Sequence, residues 1–111
     1  MPPSLGEFEQ AVLLAVLQVR DTSPYAVDIR KELETRTHRT VSRGALYATF
    51  DRLASKGLLE WEMESGGPVP ERGGHPMRRF MVTVEGMAAL RLSRASLLRL
   101  WENLERELDR P

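Results

Sequence analysis

Residues 40 to 59 read Thr40-Val-Ser-Arg-Gly-Ala-Leu-Tyr-Ala-Thr-Phe-Asp-Arg-Leu-Ala-Ser-Lys-Gly-Leu-Leu59. Leu46, Phe50 and Leu53 recur at i, i+4 and i+7, the stripe of a helix that buries one face. The other side carries Gly44, Ala48, Asp51 and Ser55, with Arg43 and Tyr47 on the flank near its leading end. Ser42 is the expected N-cap, because its hydroxyl can accept an amide hydrogen that the first turn leaves without a partner. Gly57 supplies the stop, since glycine enters left-handed backbone without steric cost. A helix that is bulky toward the core and lean toward solvent can lie close against another surface. Arg39, Thr40, Ser42, Arg43, Gly44 and Tyr47 gather at the end where reading helices meet duplex DNA. They are the candidate DNA-binding residues.

Charge supports this placement once its distribution is considered. The 111 residues carry 16 lysines and arginines against 16 acidic residues, and a zero balance by itself argues against a polyanionic partner. Yet Met1 to Thr35 holds three basic and six acidic residues, whereas Arg36 to Lys56 holds five basic residues and only Asp51. Positive charge is therefore focused on the segment already singled out, and local potential steers an anion more than net charge does. Cysteine is absent and only His38 and His75 could offer imidazole, so neither a disulfide framework nor a metal centre is expected. No cofactor is called for. Serine and histidine never stand in a nucleophile context and no phosphate-cradling glycine loop opens a helix, so enzymatic activity is not expected. No apolar run is long enough for a bilayer and no export signal opens the chain, which points to a cytoplasmic setting without a membrane partner.

The flanking segments complete one domain. Ser4 and Glu7 have capping-box spacing, opening a first helix after Pro2 and Pro3. Phe8, Val12, Ala15, Val16 and Val19 form one stripe, but Leu13, Leu14 and Leu17 lie off it, so this helix should be covered on more than one side. A second subunit is a natural source of that cover. Asp21 to Pro24 breaks the chain, and a second helix from about Tyr25 to Thr35 buries Tyr25, Ile29 and Leu33. A short polar turn, Arg36 to Val41, leads into the third.

After Gly57 the period changes. Leu59, Trp61 and Met63 alternate with Glu60, Glu62 and Glu64, as in a half-buried strand. Gly66 to Pro76 holds four glycines and three prolines in eleven residues, which predicts a loop. Met77 to Val82 returns as a strand, with Phe80 and Val82 on one face. The hairpin makes a wing in which Arg72 and His75 are candidate DNA contacts. Arg78 and Arg79 admit either DNA contact or cross-strand pairing with the glutamates; pairing is assigned to Arg79, and Arg78 joins the DNA set. Thr83 caps a last helix from Val84 to Leu108. Its apolar positions, Leu90, Leu97, Trp101, Leu104 and Leu108 with Arg94 in the remaining slot, follow a heptad seam. Leu13, Leu17, Leu90, Leu97, Trp101, Leu104 and Leu108 are therefore the candidate dimerisation residues. Trp101 has a second reading, in which it lines a cavity with Met87 and the first helix for a flat aromatic effector.

The element order α-α-α-β-β-α predicts a mainly α (α+β) winged helix-turn-helix at residues 1–83, followed by a long dimerisation helix at 84–111. The run from Gly44 to Leu59 resembles the third-helix signature of the PadR-like transcriptional regulators, with its leucine-tyrosine pair and Lys-Gly-Leu exit. Glu71-Arg-Gly-Gly-His-Pro-Met-Arg-Arg-Phe-Met-Val-Thr-Val-Glu-Gly86 is similar to that family's wing, second strand and Thr-x-x-Gly helix start. Length is similar to the short subfamily, which ends in a single dimerisation helix. The resemblance implies a homodimeric, sequence-specific DNA-binding repressor acting on an imperfect palindrome. It also implies a Tyr47 hydroxyl bond to phosphate, and in some members a response to a small ligand. Phe80-Met81 stands where an aromatic pair is usual, and Thr49-Phe50 where a leucine is often found. His75 and Met77 replace frequent basic residues and thin the wing's charge. The zero net charge and the glutamate-lined strand keep a second function open, a winged-helix protein-interaction module that does not touch DNA.

Overall fold

The computed structural model describes residues 4–66 and 74–110, with the backbone alone at 65–66 and 74–76. The elements are α1 (Glu7–Gln18), α2 (Ala26–Thr37), α3 (Arg43–Ser55), β1 (Leu59–Gly66), β2 (Gly74–Val82) and α4 (Val84–Trp101), with a short 3-10 turn at Glu105–Glu107. The order α-α-α-β-β-α is the winged helix-turn-helix that the sequence predicts.

The start of α1 differs from expectation. Gly6, in extended backbone, is the N-cap, and its N–H donates to Oε1 of Glu9 at 2.9 Å. Ser4 and Glu7 do not form the box. Glu9 takes the role because Lys56 and Arg52, at the far end of α3, draw its carboxylate inward; a Ser-x-x-Glu spacing has no such anchor. Helix α2 runs two residues past its expected end. His38 then turns the chain in left-handed backbone (φ 57°, ψ 32°), its N–H returning to the Glu34 carbonyl at 3.0 Å.

Helix α3 follows its stripe. Leu46, Phe50 and Leu53 are buried and Gly44, Ala48, Asp51 and Ser55 are exposed. Thr49 is buried too, its hydroxyl satisfied by the Ala45 carbonyl at 2.8 Å. Gly57 leaves the helix at φ +74°. Phe50 stacks on Phe80 of β2 with ring centroids 4.1 Å apart. Around that pair Val12, Leu13, Val16, Ile29, Leu53 and Leu58 close the core. Each such side chain contributes about 1.5–3 kcal/mol of burial.

The sheet is an antiparallel pair with Leu59 opposite Val82, Trp61 opposite Phe80, Glu62 opposite Arg79 and Met63 opposite Arg78. The expected loop from Gly66 to Pro76 is shorter than predicted. Gly66 pairs with Gly74, and β2 begins three residues before Met77. The ladder is irregular between Glu64 and Gly66. Pro76 falls in that irregularity, where its missing N–H removes no ladder bond. Residues 67–73, including Arg72, lie outside the described residues. On its other edge β2 is tied by the Phe80 N–H to the Pro24 carbonyl at 2.9 Å.

Helix α4 is capped by Thr83, whose Oγ accepts from the Gly86 N–H at 2.9 Å and donates to the Gly57 carbonyl at 2.7 Å. It ends at Trp101, not Leu108. Asn103 takes left-handed backbone (φ 67°), a conformation that asparagine accepts more readily than other branched side chains do. Heptad spacing is blind to that local preference. Among the described residues no helix is long and apolar enough to cross a membrane.

Candidate nucleic-acid interface

The candidate interface begins at the turn between α2 and α3. Val41 buries its side chain there, while both its backbone polar groups are held by α2. Arg30 Nε donates to the Val41 carbonyl at 2.8 Å, and the Val41 N–H donates to Glu34 Oε2 at 2.8 Å. One residue later Ser42 caps α3, its Oγ accepting from the Ala45 N–H at 3.1 Å. The predicted set contains neither Arg30 nor Glu34. In the sequence they are an Arg–Glu pair at i, i+4, a spacing that ordinarily marks a surface ion pair.

The exposed flank of α3 meets the wing across one aromatic ring. The Arg43 guanidinium lies 5.4 Å from the Tyr47 centroid, and Arg78 of β2 lies 5.9 Å from the same ring and 4.7 Å from that of Trp61. Tyr47 is braced beneath by Phe50, edge-on at 5.6 Å. The fold thus joins Arg43, Tyr47 and Arg78 into one surface, with Gly44 exposed beside them. Arg39, Thr40 and Ser42 form a neighbouring group around an open groove of about 750 Å³, whose walls include Phe8, Leu33 and Val41. Of His75 only the backbone, in β2, is described.

The concentration of positive charge read from the sequence is partly neutralised in three dimensions. Arg36 pairs with Glu32, and Arg39 reaches Glu7 at 3.6 Å. Lys56 and Arg52 converge on Glu9 at 2.8 and 3.9 Å. Arg43 and Arg78 instead lie over aromatic rings, which orient a guanidinium without cancelling its charge. Arg79 stands opposite Glu62 on the ladder, the alignment that cross-strand pairing requires.

Glu9 is the one buried acid among the described residues. Burial pushes its carboxyl up, but the Lys56 hydrogen bonds, the Gly6 N–H and the charges of Lys56 and Arg52 outweigh that and hold it below its ordinary 4.5. A group depressed in the folded state adds stability above its unfolded value and loses it as pH falls through the folded one. Glu9→Gln is expected to cost about 1–3 kcal/mol at neutral pH. It should also flatten the stability loss below pH 4.5. Urea unfolding at pH 7 and in steps downward from pH 4.5 checks both, since the stability difference is lost as pH falls from the unfolded midpoint through the depressed folded one.

The predicted dimerisation residues separate. Leu13 is completely buried and Leu90 is 7% exposed. Leu13 leaves the expected interface set, because its own chain already covers it. Leu97 and Trp101 remain 46% and 41% exposed. With Leu14, Leu17, Met87 and Leu98 they line a groove of about 430 Å³ between α1 and α4. Leu104 and Leu108 follow the end of α4 and stay exposed without lining it. Leu14 and Leu98 are additions. Leu14 was legible as an off-stripe leucine on the first helix, and Leu98 carried no heptad signal.

A family model described as the transcriptional regulator PadR-like family matches residues 13–92. Among solved structures, the chain is similar to a PadR-like transcription factor from Bacteroides fragilis. The two share 24% identity and a TM-score of 0.69, over 89% of this chain and 87% of that one. It is similar to hsRosR-S4, with 24% identity and a TM-score of 0.62 over 87% and 74% of the two chains. TA0346 from Thermoplasma acidophilum shows 13% identity and a TM-score of 0.67 over 91% and 92%. No curated protein matches the sequence. At these identities the structures speak for the fold, and the family model carries the classification.

Proposed function

Because the chain belongs to the PadR-like family of transcriptional regulators, we propose that it acts by binding duplex DNA as a homodimeric repressor. The observation that supports this best is the surface built from Arg43, Tyr47 and Arg78. There a helix and a wing present guanidinium groups that aromatic rings orient and that no carboxylate among the described residues neutralises. Residues 1–83 form the reading head. Residues 84–111 supply the dimerisation segment, with the groove between α1 and α4 as the apolar face that a second copy covers. A two-fold dimer duplicates the head, so two α3 helices enter successive major grooves about 34–36 Å apart on an imperfect palindrome. Arg39, Thr40, Ser42 and Gly44 approach phosphate at the α3 N-terminus, where unpaired amides favour an anion. Arg72 and His75 extend the contact along the wing. The setting is cytoplasmic.

Titration of a random duplex at rising salt tests this reading. Affinity should fall steeply, because each neutralised phosphate releases counterions. Absent or salt-insensitive binding would favour the protein-interaction module instead, with the exposed Glu60 and Glu62 as its face. Arg43→Ala should weaken binding to a selected duplex by about 1–3 kcal/mol. An unchanged anisotropy titration would remove Arg43 from the contact. Met87 and Trp101 lie in one groove, which suits a small planar aromatic effector there; quenching of Trp101 fluorescence reports its entry.

A further inference from the structure

We propose that Glu34, together with Arg30, is a positioning residue for the reading helix, and that it sharpens sequence discrimination although its charge repels DNA. The inference rests on the DNA reading above and concerns how α3 is held. Arg30 and Glu34 stand one turn apart on α2, 3.9 Å from each other, and between them they occupy both polar groups of the Val41 peptide. The Val41 side chain is buried beneath, so this residue is fixed from three directions. Its neighbours in the turn, Arg39 and Thr40, are exposed. Arg43 begins α3 two residues later, and Arg30 shares a small surface groove with Arg43 and Tyr47. The angle at which α3 leaves the turn, and hence where Arg43 and Tyr47 point, depends on this bracket. Base readout by a guanidinium requires that geometry to be held, whereas phosphate attraction is tolerant of small tilts.

Glu34 makes the idea testable by sign. Its side chain is 35% exposed and adjoins a turn expected to approach phosphate, where a negative charge disfavours any duplex. If Glu34 did no more than carry charge, removing it would tighten DNA binding. As an acceptor for the Val41 N–H, it should do the opposite when the acceptor is lost. Glu34→Gln removes the charge and keeps an oxygen acceptor; Glu34→Leu removes both.

The test enriches a duplex from a randomised pool with the parent protein, then measures affinity for it and for an unrelated duplex of equal length. Glu34→Leu should lose about tenfold on the enriched duplex, the scale of one charge-assisted hydrogen bond, and keep or improve its affinity for the unrelated one. Glu34→Gln should bind the enriched duplex as well as the parent or better. Glu34→Leu tightening both duplexes alike would reduce Glu34 to a charge and overturn the proposal, as would equal weakening of both. Should Glu34→Leu fail to fold by circular dichroism, Arg30→Met carries the same comparison. Lost discrimination with an unchanged salt slope supports positioning; a slope lowered by about one marks a phosphate contact and overturns it. If the parent enriches no duplex at all, the DNA reading fails, and this inference fails with it.

Discussion

Gly86→Val is expected to destabilise the chain by about 3 kcal/mol or more, enough to lower Tm by about 15 °C in a domain of this size. A Cβ at position 86 would lie 2.2 Å from the Leu58 carbonyl oxygen and 2.8 Å from Val82 Cγ1. That carbonyl cannot easily retreat. It accepts the Thr83 N–H at 3.2 Å, while the Leu58 N–H is bonded to the Leu53 carbonyl at 2.9 Å. Thr83 adds a bond to the Gly57 carbonyl. Gly86 is thus the point where α4 crosses the exit from α3, and it sets α4 against the turn that leads from α3 into the sheet. Gly86→Ala should act in the same direction, because the overlap begins at Cβ. A thermal melt of Gly86→Val within about 2 °C of the parent, under half a kcal/mol for a domain this small, would contradict this packing.

Leu97→Glu is expected to leave the fold intact and dissolve the proposed dimer. Leu97 is 46% exposed in the single chain, so the carboxylate remains solvated in a monomer. In a two-fold interface along the α1–α4 groove, each copy would force a charge into an apolar seam. Sedimentation should then show monomers. Affinity for a palindromic duplex should fall by about a hundredfold as the two heads lose their linkage. A dimer that survives the substitution would place the two-fold contact elsewhere.

What the sequence could disclose depended on whether a signal was local. Ser42 and Thr83 were legible as caps because capping acts over three residues, and Leu46, Phe50 and Leu53 because helical period is a local property. The opposite holds for Glu9, whose partner Lys56 is 47 residues away; no spacing rule links them, and the expected start of α1 was displaced for that reason. Arg78 and Arg79 were separated only by strand register. Arg78 stands opposite Met63 on the face shared with Trp61, and Arg79 opposite Glu62 on the other face. A slip of one residue would exchange them. Leu13 and Leu14 posed the same difficulty on a helix apolar around most of its circumference. Leu13 turned inward and Leu14 outward, a choice made by where α2 and α3 pack. The end of α4 was hidden because the heptad pattern continues past Trp101 whereas the backbone does not.

The proposed contact of α3 and the wing with duplex DNA is tested most directly by following backbone amide resonances of labelled protein as an enriched duplex is added at low salt. The expected result is a set of shifts concentrated at residues 39–48 and at Arg78, reversed by raising the salt. Shifts confined to α1 and α4, with Arg43, Tyr47 and Arg78 unmoved, would contradict it.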